Sequence, residues 1–316
     1  MSKLITGGLG FIGSHLARKL VNAGEEVVLF DVVYRSRLID DIKEKVKVVQ
    51  GDLGNWAQVL EAVKKHRVDT IYHTAALLSA SAEEAPLAAY AVNANGTFHI
   101  LEAARLFDVE TVVFLSTIAT YGTGIPERVG DDVIQRPSTM YGVTKVFGER
   151  LGEYYNTKFG VKFRGLRFPS VIGPGRGGGG ASAYSSLIIQ EPAAGRPYEA
   201  FVDGEARIPL LYIEDAVQSV IALERAPAGS LKRRVYNIEG FSPTAAQLVA
   251  SIKKHIPGTR IRFSPDPEMV RIVRSWPREL DGCNARDDWG WKTRYGIEEA
   301  VSHFIKEFQA RRHLYE

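Results

Sequence analysis

Short β-branched runs alternate with amphipathic stretches over the first half of the chain. The runs predict strands over residues 3–6, 26–31, 46–50, 70–73, 111–116 and 162–168. Between them, apolar residues recur every three or four positions, which predicts helices over 11–22, 55–66, 86–107 and 141–159. Strands that alternate with helices of this length form right-handed crossovers. The pattern therefore predicts an α/β fold with a doubly wound parallel sheet.

The local composition changes after residue 168, where glycine, proline and other turn-forming residues become frequent. Helical period returns only over 212–225, 245–255 and 297–310. We expect one domain over 1–167, to which 206–228 returns. Residues 168–205 and 229–316 are predicted to form a smaller, loop-rich C-terminal region that binds the substrate.

A glycine-rich turn, TGGLGFIG at residues 6–13, follows the first predicted strand and opens a helix. Glycines at such a turn let backbone N–H groups and the positive helix end approach a pyrophosphate. The alternative is that the glycines only allow the helix to pack tightly on the strand. The strand-turn-helix context favours a Rossmann-type dinucleotide site, with predicted contacts from Gly7, Gly10, Phe11, Ile12 and Gly13.

Asp31 ends the second predicted strand, 18 residues after Gly13. A carboxylate there can accept hydrogen bonds from the ribose hydroxyls of a bound dinucleotide. Its charge would repel a 2′-phosphate, so NAD is predicted over NADP. Arg35 and Arg37 lie close enough in sequence to weaken that repulsion.

Two further segments are expected to contact the cofactor. Asp52 and Leu53, after the third strand, suit the adenine, although a helix cap before Asn55 is an equally good role for Asp52. The residues after the fourth strand are expected beneath the cofactor, and they are Ala75, Ala76 and Leu77.

Tyr141 and Lys145 form a YxxxK pair, and this spacing places both on one face of a helix. We expect the ammonium to lower the phenol pKa, so that Tyr141 can exchange a proton with a substrate hydroxyl. Lys145 would also hold the nicotinamide ribose. A hydroxyl at the end of the fifth strand would assist them, and Ser116 and Thr117 compete for that role.

These motifs carry a family resemblance. TGGLGFIG, Asp31, HTAA at 73–76, STIATYG at 116–122, YGVTK at 141–145 and LRFPSVIGPG at 166–175 resemble the extended short-chain dehydrogenase/reductase family. The resemblance implies NAD as cofactor, and catalytic residues Thr117, Tyr141 and Lys145. It also implies a homodimer that pairs the helices predicted over 86–107 and 141–159, and both helices carry more apolar residues than one buried face needs. The alternative is a wide stripe packed within one subunit.

Other segments resemble the L-threonine 3-dehydrogenase branch of that family, namely ALLSA at 76–80, IPLLY at 208–212, SWPR at 275–278 and NARDDWGW at 284–291. The resemblance implies oxidation of L-threonine to 2-amino-3-oxobutyrate, with Ser79, Thr117, Tyr141, Gly180 and Trp276 facing the substrate. One loop departs from the branch, which carries Thr-Thr-Asp where this chain has ASA at 181–183, with Arg176 nearby. This departure allows a substrate other than threonine. The glycine run also suits a surface loop, and Trp276 also suits a core aromatic.

Two alternatives compete with the dehydrogenase. Sugar-nucleotide epimerases and dehydratases share the family motifs, but they resemble one another in an Asn and an Arg where this chain has Ser170 and Ile208. Both of those residues serve the nucleotide diphosphate, so their absence disfavours this substrate. An NAD-binding regulator without catalysis would need none of the Thr117, Tyr141 and Lys145 geometry.

Composition narrows the remaining classes. Forty Lys and Arg against 37 Asp and Glu give a net charge of +3, too small for an electrostatic nucleic-acid surface. Cys283 is the single cysteine, so neither an internal disulfide nor a thiolate metal site is expected. No apolar run is long enough to span a membrane. We expect a cytoplasmic protein with a small-molecule substrate and with no metal, nucleic-acid or membrane partner.

Overall fold

The described structure, a computed structural model, comprises residues 1–178 and 180–316, so Gly179 of the glycine-rich run lies outside it. Its strands are β1 (Ser2–Thr6), β2 (Val27–Asp31), β3 (Val46–Gln50), β4 (Val68–His73), β5 (Thr111–Thr117), β6 (Arg128–Val129), β7 (Lys162–Phe168), β8 (Ser170–Ile172), β9 (Tyr198–Ala200), β10 (Leu210–Tyr212), β11 (Val235–Asn237), β12 (Ile261–Phe263) and β13 (Glu279–Leu280). Its α-helices are α1 (Phe11–Asn22), α2 (Trp56–Lys65), α3 (Ser79–Glu84), α4 (Pro86–Ala89), α5 (Gly96–Leu106), α6 (Met140–Phe159), α7 (Tyr184–Ala193), α8 (Ile213–Arg225), α9 (Ala245–His255), α10 (Pro267–Arg274), α11 (Cys283–Trp289), α12 (Ile297–Ala310) and α13 (Arg312–Tyr315). A π-helical segment, Tyr90–Asn95, joins α4 to α5.

Seven strands form the central sheet in the order β11-β7-β5-β4-β1-β2-β3, and every pairing is parallel. Successive residues of a strand face opposite sides of the sheet, and both sides are buried. Leu4 and Ile71 belong to the core that includes α2 and α5 residues. Ile5 and Tyr72 belong to the core that includes α1 and α8 residues. A sheet covered on both faces needs apolar residues on both, which explains the continuous runs and confirms the predicted fold class.

Most predicted elements agree with the structure. β3, β7, α1, α9 and α12 have the predicted bounds. The helix predicted over 86–107 is interrupted by the π-helical segment, which hydrophobic periodicity did not reveal. The three-residue strand β11 was also missed, and it brings part of 229–316 into the central sheet. The division into domains stays a prediction.

The second half of the chain adds two two-stranded parallel sheets, β8 with β10 and β9 with β12, and its β13 pairs in parallel with β6 of the first half. Its helices share one apolar core with the first half, since Ile188 of α7 and Phe304 of α12 lie in the same cluster as Leu16 of α1. Within the described ranges, no helix has both the length and the apolar character that crossing a membrane requires.

An exposed apolar face runs along α6 and along the helical stretch from α4 to α5. Leu87 is 82% exposed and Tyr90 50%, and on α6 Phe147 is 44% and Tyr154 53% exposed. Residues that point inward from the same helices are buried, so this face is additional to the one that covers the sheet. Because exposed patches of this kind mark interaction surfaces, we propose that this face forms the homodimer contact.

A charge on this face should dissociate the dimer. We expect Phe147→Glu to convert a dimer into a monomer of 34.9 kDa, because the carboxylate would be buried without a partner in the contact. Sedimentation or light scattering at micromolar concentration measures the change. Phe263→Glu, on β12 and 38% exposed in the wild type, is the control and should leave the mass unchanged. A wild-type protein that sediments as a monomer would contradict the proposal.

Candidate active site

The turn after β1 requires glycine at two positions for steric reasons. Gly7 has φ of +65°, and a Cβ there would lie 2.9 Å from the Ala75 Cα. At Gly13 a Cβ would lie 2.3 Å from the Gly7 carbonyl oxygen. No side chain caps α1 at Gly10, so the first-turn N–H groups and the positive helix end are open to an anion. The turn therefore has both properties, tight packing and an anion site.

Asp31 at the end of β2 faces the glycine-rich turn. Its carboxylate accepts hydrogen bonds from the Leu9 N–H at 3.0 Å and from the Val33 N–H at 3.2 Å. The Arg37 guanidinium donates to the Glu316 carbonyl at 2.5 Å. Arg37 is thus directed to the C-terminal residue, and its charge is not paired with Asp31.

Asp52 and Leu53, predicted near the adenine, have separate environments. The Asp52 carboxylate accepts a hydrogen bond from the Gly54 N–H at 2.8 Å, while Asn55 caps α2 by accepting from the Gln58 N–H at 3.3 Å. Asp52 is exposed, and Asn55, not Asp52, caps the helix. The Leu53 side chain is buried in the core, so its contact with a cofactor stays a prediction.

Asn93 of the π-helical segment holds the loop that carries Ala75, Ala76 and Leu77. Its side chain accepts a hydrogen bond from the Leu77 N–H at 2.8 Å and donates one to the Leu77 carbonyl at 3.0 Å. It also donates to the Thr144 hydroxyl of α6 at 3.2 Å. A π-helical segment aims side chains out of the α-helical register. Sequence periodicity treated this stretch as ordinary helix and so missed Asn93.

The start of α6 lies against the end of β5. Thr139 caps the helix by accepting a hydrogen bond from the Gly142 N–H at 3.1 Å. A Cβ at Gly142 would lie 2.3 Å from the Ala119 carbonyl oxygen, so only glycine permits this approach. Tyr141 and Lys145 consequently face one cavity, as their spacing predicted.

Lys145 is buried beside the sheet. Its ammonium donates a hydrogen bond to the Leu115 carbonyl at 2.7 Å and lies 4.6 Å from the centre of the Phe114 ring. Burial lowers the pKa of Lys145 to about 7, and the negative charge of Glu149 opposes that change. The ammonium therefore titrates near neutral pH.

The Tyr141 phenol has a raised pKa and is a weaker acid than free tyrosine, contrary to our expectation. Burial raises the pKa of Tyr141 to about 12, and the Thr117 hydrogen bond and the Arg176 charge offset this only in part. The prediction that the Lys145 ammonium lowers the phenol pKa is therefore wrong for this structure, because desolvation dominates.

The structure separates the two candidate hydroxyls. Ser116 donates its hydroxyl hydrogen to the buried Glu149 carboxylate. Glu149 also accepts hydrogen bonds from Arg167, the shortest at 2.7 Å. Ser116 and Thr117 both line the cavity, but Thr117 is the one hydrogen-bonded to the phenol of Tyr141. Glu149 and Arg167 were absent from the sequence-based prediction, because nothing local relates them to residue 116.

A cavity of about 300 Å³ lies over the carboxyl edge of the sheet. The residues predicted to face the substrate all line it, and they are Ser79, Thr117, Tyr141, Gly180 and Trp276. Phe11 and Ile12 of the glycine-rich turn line it as well, together with Lys145 and Arg176. Over residues 1–178 and 180–316, no cluster of three or more His, Cys, Asp or Glu side chains is arranged to hold a metal ion.

This geometry belongs to a known class of protein. The model of the NAD-dependent epimerase/dehydratase family matches residues 3–238. The chain therefore belongs to that family of extended short-chain dehydrogenases/reductases, and NAD is its cofactor. The uncapped start of α1 and the carboxylate of Asp31 fit the phosphates and a ribose of such a dinucleotide.

Individual relatives are similar over nearly the whole chain. The mitochondrial L-threonine 3-dehydrogenase of Bos taurus is 35% identical over 306 residues, 96% of this chain and 81% of its own. The L-threonine dehydrogenase structure from Clostridium difficile is 36% identical with a TM-score of 0.91, over 100% of this chain and 99% of its own. The holo L-threonine dehydrogenase from Cupriavidus necator is 33% identical with a TM-score of 0.92, over 98% and 100%.

We expect Asp31 to determine the choice of dinucleotide. Wild-type protein should bind NAD at least about tenfold tighter than NADP, a difference of about 1.4 kcal/mol. Asp31→Ser should narrow or reverse that ratio, because the repelling charge is removed. Asp31→Asn also removes the charge but keeps an oxygen that can accept from the Leu9 N–H. It therefore separates the loss of the charge from the loss of this hydrogen bond. Calorimetry gives both dissociation constants. An unchanged ratio in both variants would mean that another residue contacts the ribose.

Lys145→Met should stabilise the protein at low pH while abolishing turnover. The folded-state pKa of Lys145, about 7, is depressed from 10.5. The destabilisation is complete below the folded value and disappears as pH rises toward the unfolded value. We expect the free energy of unfolding to increase by roughly 1–3 kcal/mol near pH 6 and by less near pH 9. Urea unfolding measures it, with the exposed Lys158→Met as control. A loss of stability near pH 6 would contradict the depressed pKa of Lys145.

Proposed function

We propose that this chain is an NAD-dependent dehydrogenase that oxidises the secondary hydroxyl of a small hydroxy compound. The observation that carries the proposal is the meeting of Thr117, Tyr141 and Lys145 at one cavity that the glycine-rich turn also lines. The volume of about 300 Å³ is at the lower end of small-molecule sites and suits a compact substrate.

Each side chain has a role in this mechanism. The Tyr141 phenolate accepts the proton of the substrate hydroxyl, while Thr117 binds the hydroxyl oxygen. Lys145 would hold a ribose hydroxyl of the bound cofactor, and while it is protonated it adds positive charge beside the proton path. NAD, when bound, supplies the hydride acceptor. Because the phenol pKa is about 12, the phenolate fraction increases with pH, and alcohol oxidation should be faster in alkaline solution.

L-threonine is the first named candidate substrate, and its product would be 2-amino-3-oxobutyrate. Support comes from the L-threonine dehydrogenases that resemble this chain at 33–36% identity. Ser79, Gly180 and Trp276, which the resemblance places at the substrate, also line the cavity.

A sugar-nucleotide epimerase or dehydratase is the second candidate, because the family includes both reactions. The contacts of two residues disfavour it. The Ser170 hydroxyl is bound by Arg176 at 2.8 Å, and Ile208 is buried at 1% exposure. Neither position therefore offers a free polar group to a diphosphate. Conversion of a nucleotide sugar without net NADH would support this alternative, and NAD binding without any turnover would indicate a regulator.

Tyr141→Phe should bind NAD and fold normally but lose turnover by roughly 100- to 10,000-fold, because it removes the proton acceptor. NADH absorbance in the presence of L-threonine and other hydroxy compounds measures the rate, and calorimetry measures NAD binding. Tyr198→Phe makes the same chemical change on β9, outside the cavity lining, and should keep full activity. Near-wild-type turnover in Tyr141→Phe would refute the mechanism.

A further inference from the structure

Arg176 places a second cation in the substrate cavity. One terminal nitrogen of its guanidinium donates to the Ser170 hydroxyl at 2.8 Å and to the Val171 carbonyl at 2.6 Å. The other donates to the Ser182 hydroxyl at 2.6 Å. These bonds fix the planar group by neutral partners only, and they use three of its five N–H donors.

The cavity holds no charge that compensates Arg176. Its described lining includes Lys145 and Arg176 but no Asp or Glu. Among the ion pairs of residues 1–178 and 180–316, none involves Arg176. A partly buried guanidinium without an anion is unfavourable, and burial lowers the pKa of Arg176 to about 10. The cavity is therefore electrostatically suited to an anionic ligand.

Arg176 shares its cavity with the candidate proton acceptor Tyr141. The positive charge of Arg176 partly offsets the rise of the Tyr141 pKa, and both side chains line the same cavity. A ligand that bridges them carries its anionic group a few bonds from its hydroxyl. A carboxylate suits the forked donor geometry of arginine.

The same lining disfavours an ammonium. Two cations line the cavity, and the residues beside Ser182 are the buried Ala181 and Ala183, whose methyl groups accept no hydrogen bond. An α-ammonium would be repelled by Lys145 and Arg176 and would find no carboxylate among the described lining residues. L-threonine carries such an ammonium, and its deaminated analogue does not.

We propose that Arg176 binds the carboxylate of the substrate and that the substrate is a small hydroxy acid without an ammonium group. This inference rests on the proposed dehydrogenase function and names its substrate class. It assigns Arg176 to substrate specificity, whereas Thr117, Tyr141 and Lys145 perform the proton transfer.

The test compares compounds that differ by one charged group. 3-Hydroxybutyrate and 2,3-dihydroxybutyrate replace the ammonium of L-threonine by hydrogen and by hydroxyl, and 1,3-butanediol lacks the carboxylate. With NAD and the wild-type protein, we expect kcat/KM for the better hydroxy acid to exceed that for L-threonine at least tenfold, about 1.4 kcal/mol. A preference for L-threonine would overturn the substrate class but leave the dehydrogenase intact. A preference for glycerol 3-phosphate would indicate that Arg176 binds a phosphate and not a carboxylate, and it would also overturn the proposed substrate class.

Variants of Arg176 test the contact itself. Arg176→Met should reduce kcat/KM for the hydroxy acid at least about 30-fold more than for 1,3-butanediol, mainly through KM. Arg176→Lys should recover part of that difference, because it restores the charge. The exposed Arg262→Met, on β12, is the matched control and should leave the acid-to-diol ratio unchanged. Equal losses for acid and diol in Arg176→Met would show that Arg176 only holds Ser170 and Ser182 in place, and would overturn the proposal.

A binding measurement separates this inference from the proposed function. Calorimetry of 2,3-dihydroxybutyrate with the NAD-loaded protein reports the Arg176 contact without turnover. Absence of NADH from every hydroxy compound would refute the dehydrogenase, and Arg176-dependent binding would then still support the carboxylate site. Binding that is equally tight in wild-type and Arg176→Met protein would refute the site whatever the activity.

Discussion

The placement of α6 over the sheet depends on the buried ion pair of Glu149 and Arg167. Their side chains are 0% and 3% exposed, so both charges have left water. Such burial is tolerated only when the remaining donors and acceptors are satisfied. Glu149 accepts from Ser116 of β5 and from Gln135, and Arg167 of β7 also donates to the Tyr121 hydroxyl at 2.9 Å. One pair thus connects α6 to two strands and to the loop beyond β5.

Close packing also holds α6 against the sheet. On α6, a Cβ at Gly148 would lie 2.6 Å from the Phe114 ring, and one at Gly152 would lie 2.2 Å from the Phe163 ring. Two glycines one turn apart therefore let the helix approach the aromatic side chains of β5 and β7. Lys145, on the turn before Gly148, is brought down onto the Leu115 carbonyl by the same approach. The position of the ammonium follows from packing along the whole helix.

The sequence predicted the features that depend on neighbouring residues, namely the strands, the helices and the shared face of Tyr141 and Lys145. Burial on both faces fixed the apolar runs of the strands, and the helical period fixed α1, α9 and α12 to the residue. The YxxxK spacing alone placed Tyr141 and Lys145 on one face. The choice between Ser116 and Thr117 could not be made locally, because it depends on Glu149, 33 residues away. The sign of the Tyr141 pKa shift was likewise inaccessible, since burial is a property of the assembled fold. Strand β11 has only three residues and gives no periodic signal.

The π-helical segment makes the length of this region as important as its composition. Adding or removing one residue in a helix rotates everything before it by about 100° relative to everything after it. Tyr90, on the exposed apolar face, and Asn93, which is hydrogen-bonded to Leu77, lie within this single widened turn. Natural variants of this chain should therefore accept exchanges among outer residues of the segment but not a one-residue deletion. Such a deletion would restore regular α-helix and direct either Tyr90 or Asn93 to the wrong side.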